Sequence, residues 1–99
     1  MTFYVSLGNA YIKKSDFDKA LDSFNKAIKL DKKSINAFIG KGSVLYEKKE
    51  YDEASKAFDN ALDLDENNEY ALIGKGNVLS AQGNTKAAEE YYTKADSGE

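Results

Sequence analysis

The sequence repeats itself every 34 residues without an insertion, and that period limits the possible folds more than any other feature of the chain. Cut into 1–34, 35–68 and 69–99, it brings Gly8, Gly42 and Gly76 into one column. Ala20, Ala54 and Ala88 form a second, Phe24, Phe58 and Tyr92 a third, and Ala27, Ala61 and Ala95 a fourth. Tyr11, Leu45 and Leu79 share another, and Asp31 and Asp65 close the first two units. Within a unit the apolar residues fall at single-face helical spacings, Tyr4, Leu7, Gly8 and Tyr11 on one segment and Ala20, Phe24, Ala27 and Ile28 on the next. Thr2, Ser34 and Asn68 stand as N-caps for the first helix of each unit, Asp16 and Asn84 for the second, with Glu50 a poorer cap. The pattern predicts helices over about 2–14, 17–30, 36–48, 51–64, 70–82 and 85–96.

A glycine inside a helix costs about 1 kcal/mol relative to alanine. Three at one phase imply that a side chain there would collide with the partner helix, while the aromatic column fills the space beside the crossing. Helices of about three turns are marginal in isolation. A single hairpin cannot bury its apolar face, so neighbouring hairpins must stack. The expected fold is all-α, a solenoid of three antiparallel helix hairpins making one domain over 1–99.

These columns resemble the tetratricopeptide repeat over essentially the whole chain. The first unit reads Tyr4, Leu7, Gly8, Tyr11, Ala20, Phe24 and Ala27 in the family's phase. The second reads Phe38, Gly42, Leu45, Ala54, Phe58 and Ala61, and the third Leu72, Gly76, Leu79, Ala88, Tyr92 and Ala95. Lys32 and Glu66 stand where the family usually has proline, so helix termination there must rest on the polar stretches 31–34 and 65–68, and those ends are expected to fray. Lys41 and Lys75 replace leucine and leave an aliphatic stem to pack, and Leu72 stands in for a bulky aromatic. The resemblance implies a right-handed α-solenoid. It also implies a protein–protein interaction scaffold, in which the first helices line a concave groove that binds a peptide or a partner helix without catalysis. Some members of the family grip the C-terminal carboxylates of chaperone tails with a clamp of Lys, Asn and Arg. Only Asn9 matches that clamp; Val5, Gly40, Tyr70 and Gly74 stand at the other positions, so a carboxylate would lack its cationic partners.

With Tyr4, Gly8 and Tyr11 facing the second helix, a different stripe faces the groove. It comprises Thr2, Val5, Asn9 and Ile12, then Asn36, Ile39, Ser43 and Tyr46, then Tyr70, Ile73, Asn77 and Ser80, without a charge. As a peptide-binding surface, Val5, Ile39 and Ile73 form an apolar strip flanked by Ile12, Tyr46 and Tyr70. Asn9, Ser43 and Asn77 are placed to hydrogen-bond a ligand's main chain, and Gly40 and Gly74 leave the backbone open to close approach. Several such contacts would supply the ~8 kcal/mol of micromolar binding. The other reading is structural: the aliphatics pack laterally against adjacent hairpins and the polar residues are solvated.

Composition removes most chemistry. The chain has no cysteine or histidine, and all fourteen basic residues are lysine. Disulfides, Cys/His zinc sites, Cys or Ser–His nucleophiles and histidine switches are therefore excluded, and no enzyme activity, cofactor or metal is expected. A net charge of −3 without arginine speaks against nucleic acid, and the lysines at 26, 29, 32 and 33 make too short a cluster to change that. Gly40-Lys41-Gly42-Ser43 lacks phosphate-loop spacing. No apolar run approaches the roughly 20 residues of a membrane span, and the start carries no signal-peptide pattern, so the cytoplasm is the default compartment.

The two ends differ. The first unit has seven Lys against four Asp (net +3), the second four against eight acids (−4), the third three against five (−2). That gradient supports head-to-tail association or an orienting field, or is simply the charge of solvated helix faces. In the last unit Thr85, Asp96 and Gly98 replace Phe17/Tyr51, Ile28/Leu62 and Leu30/Leu64, as expected at an array end. At the head, Phe3 stands where Ala37 and Ala71 should touch a preceding hairpin, so Phe3 and Met1 are expected to be exposed. The alternative function is thus a self-assembling homo-oligomer that joins through its ends or groove, and the clean repeat phase also suits an excised or engineered segment of a longer array.

Overall fold

The computed structural model describes residues 2–97. Those residues form six α-helices and no strand: α1 (Phe3–Lys13), α2 (Phe17–Leu30), α3 (Ile35–Glu47), α4 (Tyr51–Leu64), α5 (Glu69–Ala81) and α6 (Thr85–Ser97). Every helix predicted from spacing is present, with its ends within one residue. Asp16, Ser34 and Asn68 cap as expected, their side chains accepting the N–H of Lys19, Ala37 and Ala71 at 3.3, 3.3 and 3.0 Å. Thr2 does not: its backbone, at φ −89° and ψ 0°, lacks the extended ψ that aims a cap side chain at the first turn. Glu50 shares the backbone of Asp16 but makes no side-chain cap bond.

The turn inside each hairpin has one geometry. The N–H groups of Asp16, Glu50 and Asn84 donate to the carbonyls of Tyr11, Leu45 and Leu79 at 2.9, 2.8 and 2.8 Å. Those of Ser15, Lys49 and Gly83 donate to Ile12, Tyr46 and Ser80 at 2.9, 2.9 and 3.0 Å. This bond pair closes a helix through one left-handed residue, and φ is 60° at Ser15, 65° at Lys49 and 89° at Gly83. Between hairpins, Asp31 and Asp65 leave the helix with extended backbones. Their carboxylates accept the N–H of Lys33 and Asn67 at 3.0 and 3.3 Å, and their carbonyls accept those of Ser34 and Asn68, each at 3.1 Å. Fraying was the expectation at these proline-free ends. Instead an aspartate side chain completes the turn, because it offers the backbone an acceptor in place of the helical one.

Consecutive helices pack as antiparallel neighbours throughout. In addition α1 approaches α3 and α3 approaches α5, whereas the backbones of α2, α4 and α6 stay apart from one another among the described residues. A stack whose first helices meet while its second helices splay apart is curved, with α1, α3 and α5 on the inner side. The result is a helical-repeat solenoid.

The core lies along the helix crossings. Ala20, Ala54, Ala61, Phe24 and Phe58 are buried. A Cβ on Gly8, Gly42 or Gly76 would sit 2.7, 2.8 or 2.6 Å from the ring of Phe24, Phe58 or Tyr92, closer than any side chain can come. Gly40 and Gly74 press on the same Phe24 and Phe58 rings from the following hairpin. Gly40 is buried there and does not leave the backbone open for a ligand, as the sequence had suggested, whereas Gly74 stays half-buried. They seat the previous hairpin's aromatic, which ends up gripped between two glycine faces. Lys75 packs its stem as expected, with Nζ 2.6 Å from Asp59 and 5.9 Å above the Tyr91 ring. At the hairpin turns, Lys48 reaches back to Asp18 at 2.5 Å and, one repeat on, Gln82 reaches Asp52 at 3.2 Å.

Thr85 and Asp96 are exposed, as are Lys86, Glu89, Glu90, Thr93 and Lys94 on α6. Phe3 is 66% exposed and leans its ring edge-on against Tyr4 at 5.1 Å. The expectations for Met1 and Gly98 lie outside the described residues.

Candidate functional site

The groove candidates divide by how much core duty each performs. Val5 and Ile12 are half-buried and pack against Ala20, Phe24 and Val44. Ile39 and Tyr46, also half-buried, pack against Leu45, Ala54, Phe58 and Val78. For these four the structural reading of the sequence accounts for the packed part of each side chain and leaves the rest accessible. Asn9 is exposed, Tyr70 is 73% exposed and Ile73 37% exposed. Ser43 and Asn77 are half-buried.

A cavity of about 170 Å³ opens between α3 and α5, lined by Ser43, Tyr46, Glu47, Phe58, Gly74 and Asn77. It unites three of the nine groove candidates, Ser43, Tyr46 and Asn77. Val5, Asn9, Ile12, Ile39, Tyr70 and Ile73 do not line it. Glu47 was missed because the groove stripe was ended at Tyr46. Its position was legible, since it follows Ser43 by four residues on the same helix face. Phe58 was assigned wholly to the core, yet part of its surface forms a cavity wall. Larger hollows lie at the hairpin turns and along α6, wide open and lined mostly by exposed polar and charged residues.

Tyr92 does not line the cavity but holds one of its residues. Its hydroxyl donates to Asn77 Oδ1 at 2.6 Å. Burial raises the Tyr92 pKa above its ordinary value, and the neighbouring Tyr46 adds to the effect, so the phenol stays protonated and keeps donating. That bond fixes the Asn77 amide. Glu47 is the one charged lining residue, and no ion pair engages it among the described residues. The adjacent Lys48 turns the other way: its hydrogen bond to Asp18 raises its pKa against the opposing effect of desolvation. The cavity thus offers an aromatic ring, a hydroxyl, an oriented amide and a carboxylate, a set suited to holding a side chain. Among the described residues no group of three or more His, Cys, Asp or Glu could hold a metal ion, and no helix is long and apolar enough to cross a membrane.

Three family models match the chain. Two described as tetratricopeptide repeat cover residues 2–34 and 70–97, and one described as TPR repeat covers 42–83. Among solved structures, the chain is similar to MamA, with 25% identity, 93% of this chain and 54% of that one covered, and a TM-score of 0.86. It is also similar to YrrB, described as a TPR protein with an unusual peptide-binding site, at 28% identity over 96% of this chain and 49% of that one, TM-score 0.85. The second TPR domain of Spaghetti (RPAP3), bound to the HSP90 peptide SRMEEVD, superposes with a TM-score of 0.91 at 19% identity over 97% of this chain and 89% of that one. The chain thus spans about half the length of MamA and YrrB. None of the curated proteins compared matches it.

Proposed function

The chain belongs to the tetratricopeptide repeat family, and from that premise we propose that it is a non-catalytic interaction scaffold whose concave face holds an extended peptide or a helix of a partner protein. The observation that carries this reading is the inner face between α3 and α5. There Tyr70 and Ile73 stay exposed beside the 170 Å³ cavity, while Val5 and Ile39, the repeat equivalents of Ile73, are drawn into packing. Large apolar side chains left out of the core beside a partly enclosed polar pocket mark an interaction surface. Asn77, oriented by Tyr92, turns its amide to a ligand's main chain. The peptide complexes of Spaghetti and the peptide-binding site of YrrB give the same use of the fold in similar proteins. The ligand differs in chemistry from an acidic tail, because the cavity wall holds no cation to receive one.

Selection of peptides from a random display library tests the reading. Tyr70→Ala with Ile73→Ala removes exposed side chains at little cost to the fold. Peptides captured by the parent chain should be lost from this variant at unchanged helicity. Equal capture by both would remove the groove assignment.

A further inference from the structure

We propose that the cavity between α3 and α5 is a subsite for one basic side chain, lysine or arginine, of the bound peptide; the proposal rests on the groove reading above and names the ligand's chemistry. At about 170 Å³ the cavity is below the 300–1,000 Å³ typical of small-molecule sites, and so fits a single side chain. Its walls sort by chemistry. Tyr46 presents aromatic surface, against which an aliphatic stem packs and to which a cation is attracted, and the buried Phe58 closes the floor. Glu47 supplies the negative charge, and Ser43 adds a hydroxyl acceptor. No lysine lines the cavity, and the neighbouring Lys48 and Lys75 are engaged by Asp18 and Asp59.

Other occupants fit worse. An aliphatic side chain would leave the charge of the exposed Glu47 unused and would cover the Ser43 hydroxyl without pairing it. An acidic side chain would face the Glu47 carboxylate with no compensating cation on the wall.

The subsite also appears once, which gives the ligand a register. One repeat earlier the residues matching Tyr46 and Glu47 are Ile12 and Lys13, and one repeat later Ser80 and Ala81. Ile12 packs against the Phe24 cluster, and Lys13 reverses the charge of Glu47. A basic residue is therefore welcomed between α3 and α5 and repelled between α1 and α3. A peptide carrying one such residue is held in a single alignment along the groove.

Display selection on four forms of the chain tests this: the parent, Glu47→Gln, the charge-matched control Glu66→Gln on the far loop, and Tyr70→Ala with Ile73→Ala. Parent and Glu66→Gln should enrich peptides with Lys or Arg at one fixed position, and Glu47→Gln should lose that preference. A selected peptide, resynthesised and measured by calorimetry, should bind Glu47→Gln about two- to fivefold more weakly than the parent, as the exposure of Glu47 dictates. Its norleucine-for-lysine analogue should bind both alike. Groove-dependent peptides without a basic position, or a basic preference that survives Glu47→Gln, would overturn the subsite and leave the groove reading standing. Enrichment indifferent to Tyr70→Ala with Ile73→Ala would overturn the groove reading itself, and the subsite with it.

Discussion

Ser15, Lys49 and Gly83 occupy the same left-handed turn position, and only the last is glycine. A non-glycine residue held left-handed costs about 1–2 kcal/mol, of which glycine's greater freedom in the unfolded chain returns a part. Lys49 is exposed and enters none of the ion pairs among the described residues, so Lys49→Gly should stabilise the fold by about 0.5–1 kcal/mol. A rise in the urea midpoint at constant slope would show it, and a fall would mean that the turn is not under strain. Tyr92 gives a second residue-scale prediction, in pH. Its folded pKa is raised above 10.0, so the folded state favours the neutral phenol. That contribution is complete below the unfolded pKa and is lost as pH rises through the folded one. Above about pH 10 the parent should therefore lose more stability than Tyr92→Phe, whose other titrating groups are the same. Parallel pH profiles would count against the buried, donating hydroxyl. Tyr92 was legible as the odd member of an otherwise phenylalanine column. Its partner Asn77 was not, because the bond joins two helices whose relative rotation no single period specifies.

At the scale of the helices, the phenylalanine rings set the spacing of the stack. Phe24 has no exposed surface and is pressed by Gly8 from its own hairpin and Gly40 from the next. Tyr92 is pressed by Gly76 and is only half-buried, so its ring can yield. Gly→Ala gains about 1 kcal/mol of helix propensity at either site, while overpacking a wedged ring costs about 1–3 kcal/mol. Gly40→Ala should thus destabilise by about 1–2 kcal/mol, and Gly76→Ala should be close to neutral. Chemical denaturation of the two variants decides it, and the reverse order would show that the second glycine does not grip the ring. The Gly8 column was readable because it recurs in every unit against an aromatic in the same unit. The Gly40 column was misread for a physical reason: its partner lies one hairpin back, and the first unit, with no described hairpin before it, holds Ser6 there. The Val5 and Ile39 strip was readable as apolar but not as core or surface, because those side chains are only half-buried and pack against the core with part of their area. Asp31 and Asp65 were placed at the unit boundaries, yet their turn-forming bonds depend on side-chain geometry that a column of identical residues does not reveal.

The whole molecule presents two unlike ends, and the columns that run through the stack say how copies can meet. Head-to-tail stacking in the repeat register would place Phe3 where Ala37 and Ala71 have no exposed surface at all. It would set the Ser6 side chain against Tyr92, at the position where Gly40 and Gly74 meet the preceding ring too closely for a Cβ. It would also bring Lys14 to Lys86, since Lys48 reaches Asp18 and Gln82 reaches Asp52 at the matching positions. A side chain too large, a side chain too many and two like charges act together, against a favourable difference in net charge of +3 to −2 between the first and last units that is spread over exposed, salt-screened faces. The steric conflicts win, because they fall at close-packed contacts. With head-to-tail stacking disfavoured, association through the exposed Phe3 is expected to pair α1 with α1 about a two-fold axis, and such a contact closes at two copies instead of growing. Light scattering over a concentration series should show a mass that levels off at no more than twice 11.0 kDa, with any rise above one chain abolished by Phe3→Asp. Open-ended growth would break the stacking argument, and a mass of one chain at every concentration would remove self-association and leave the groove as the surface through which this chain meets other proteins.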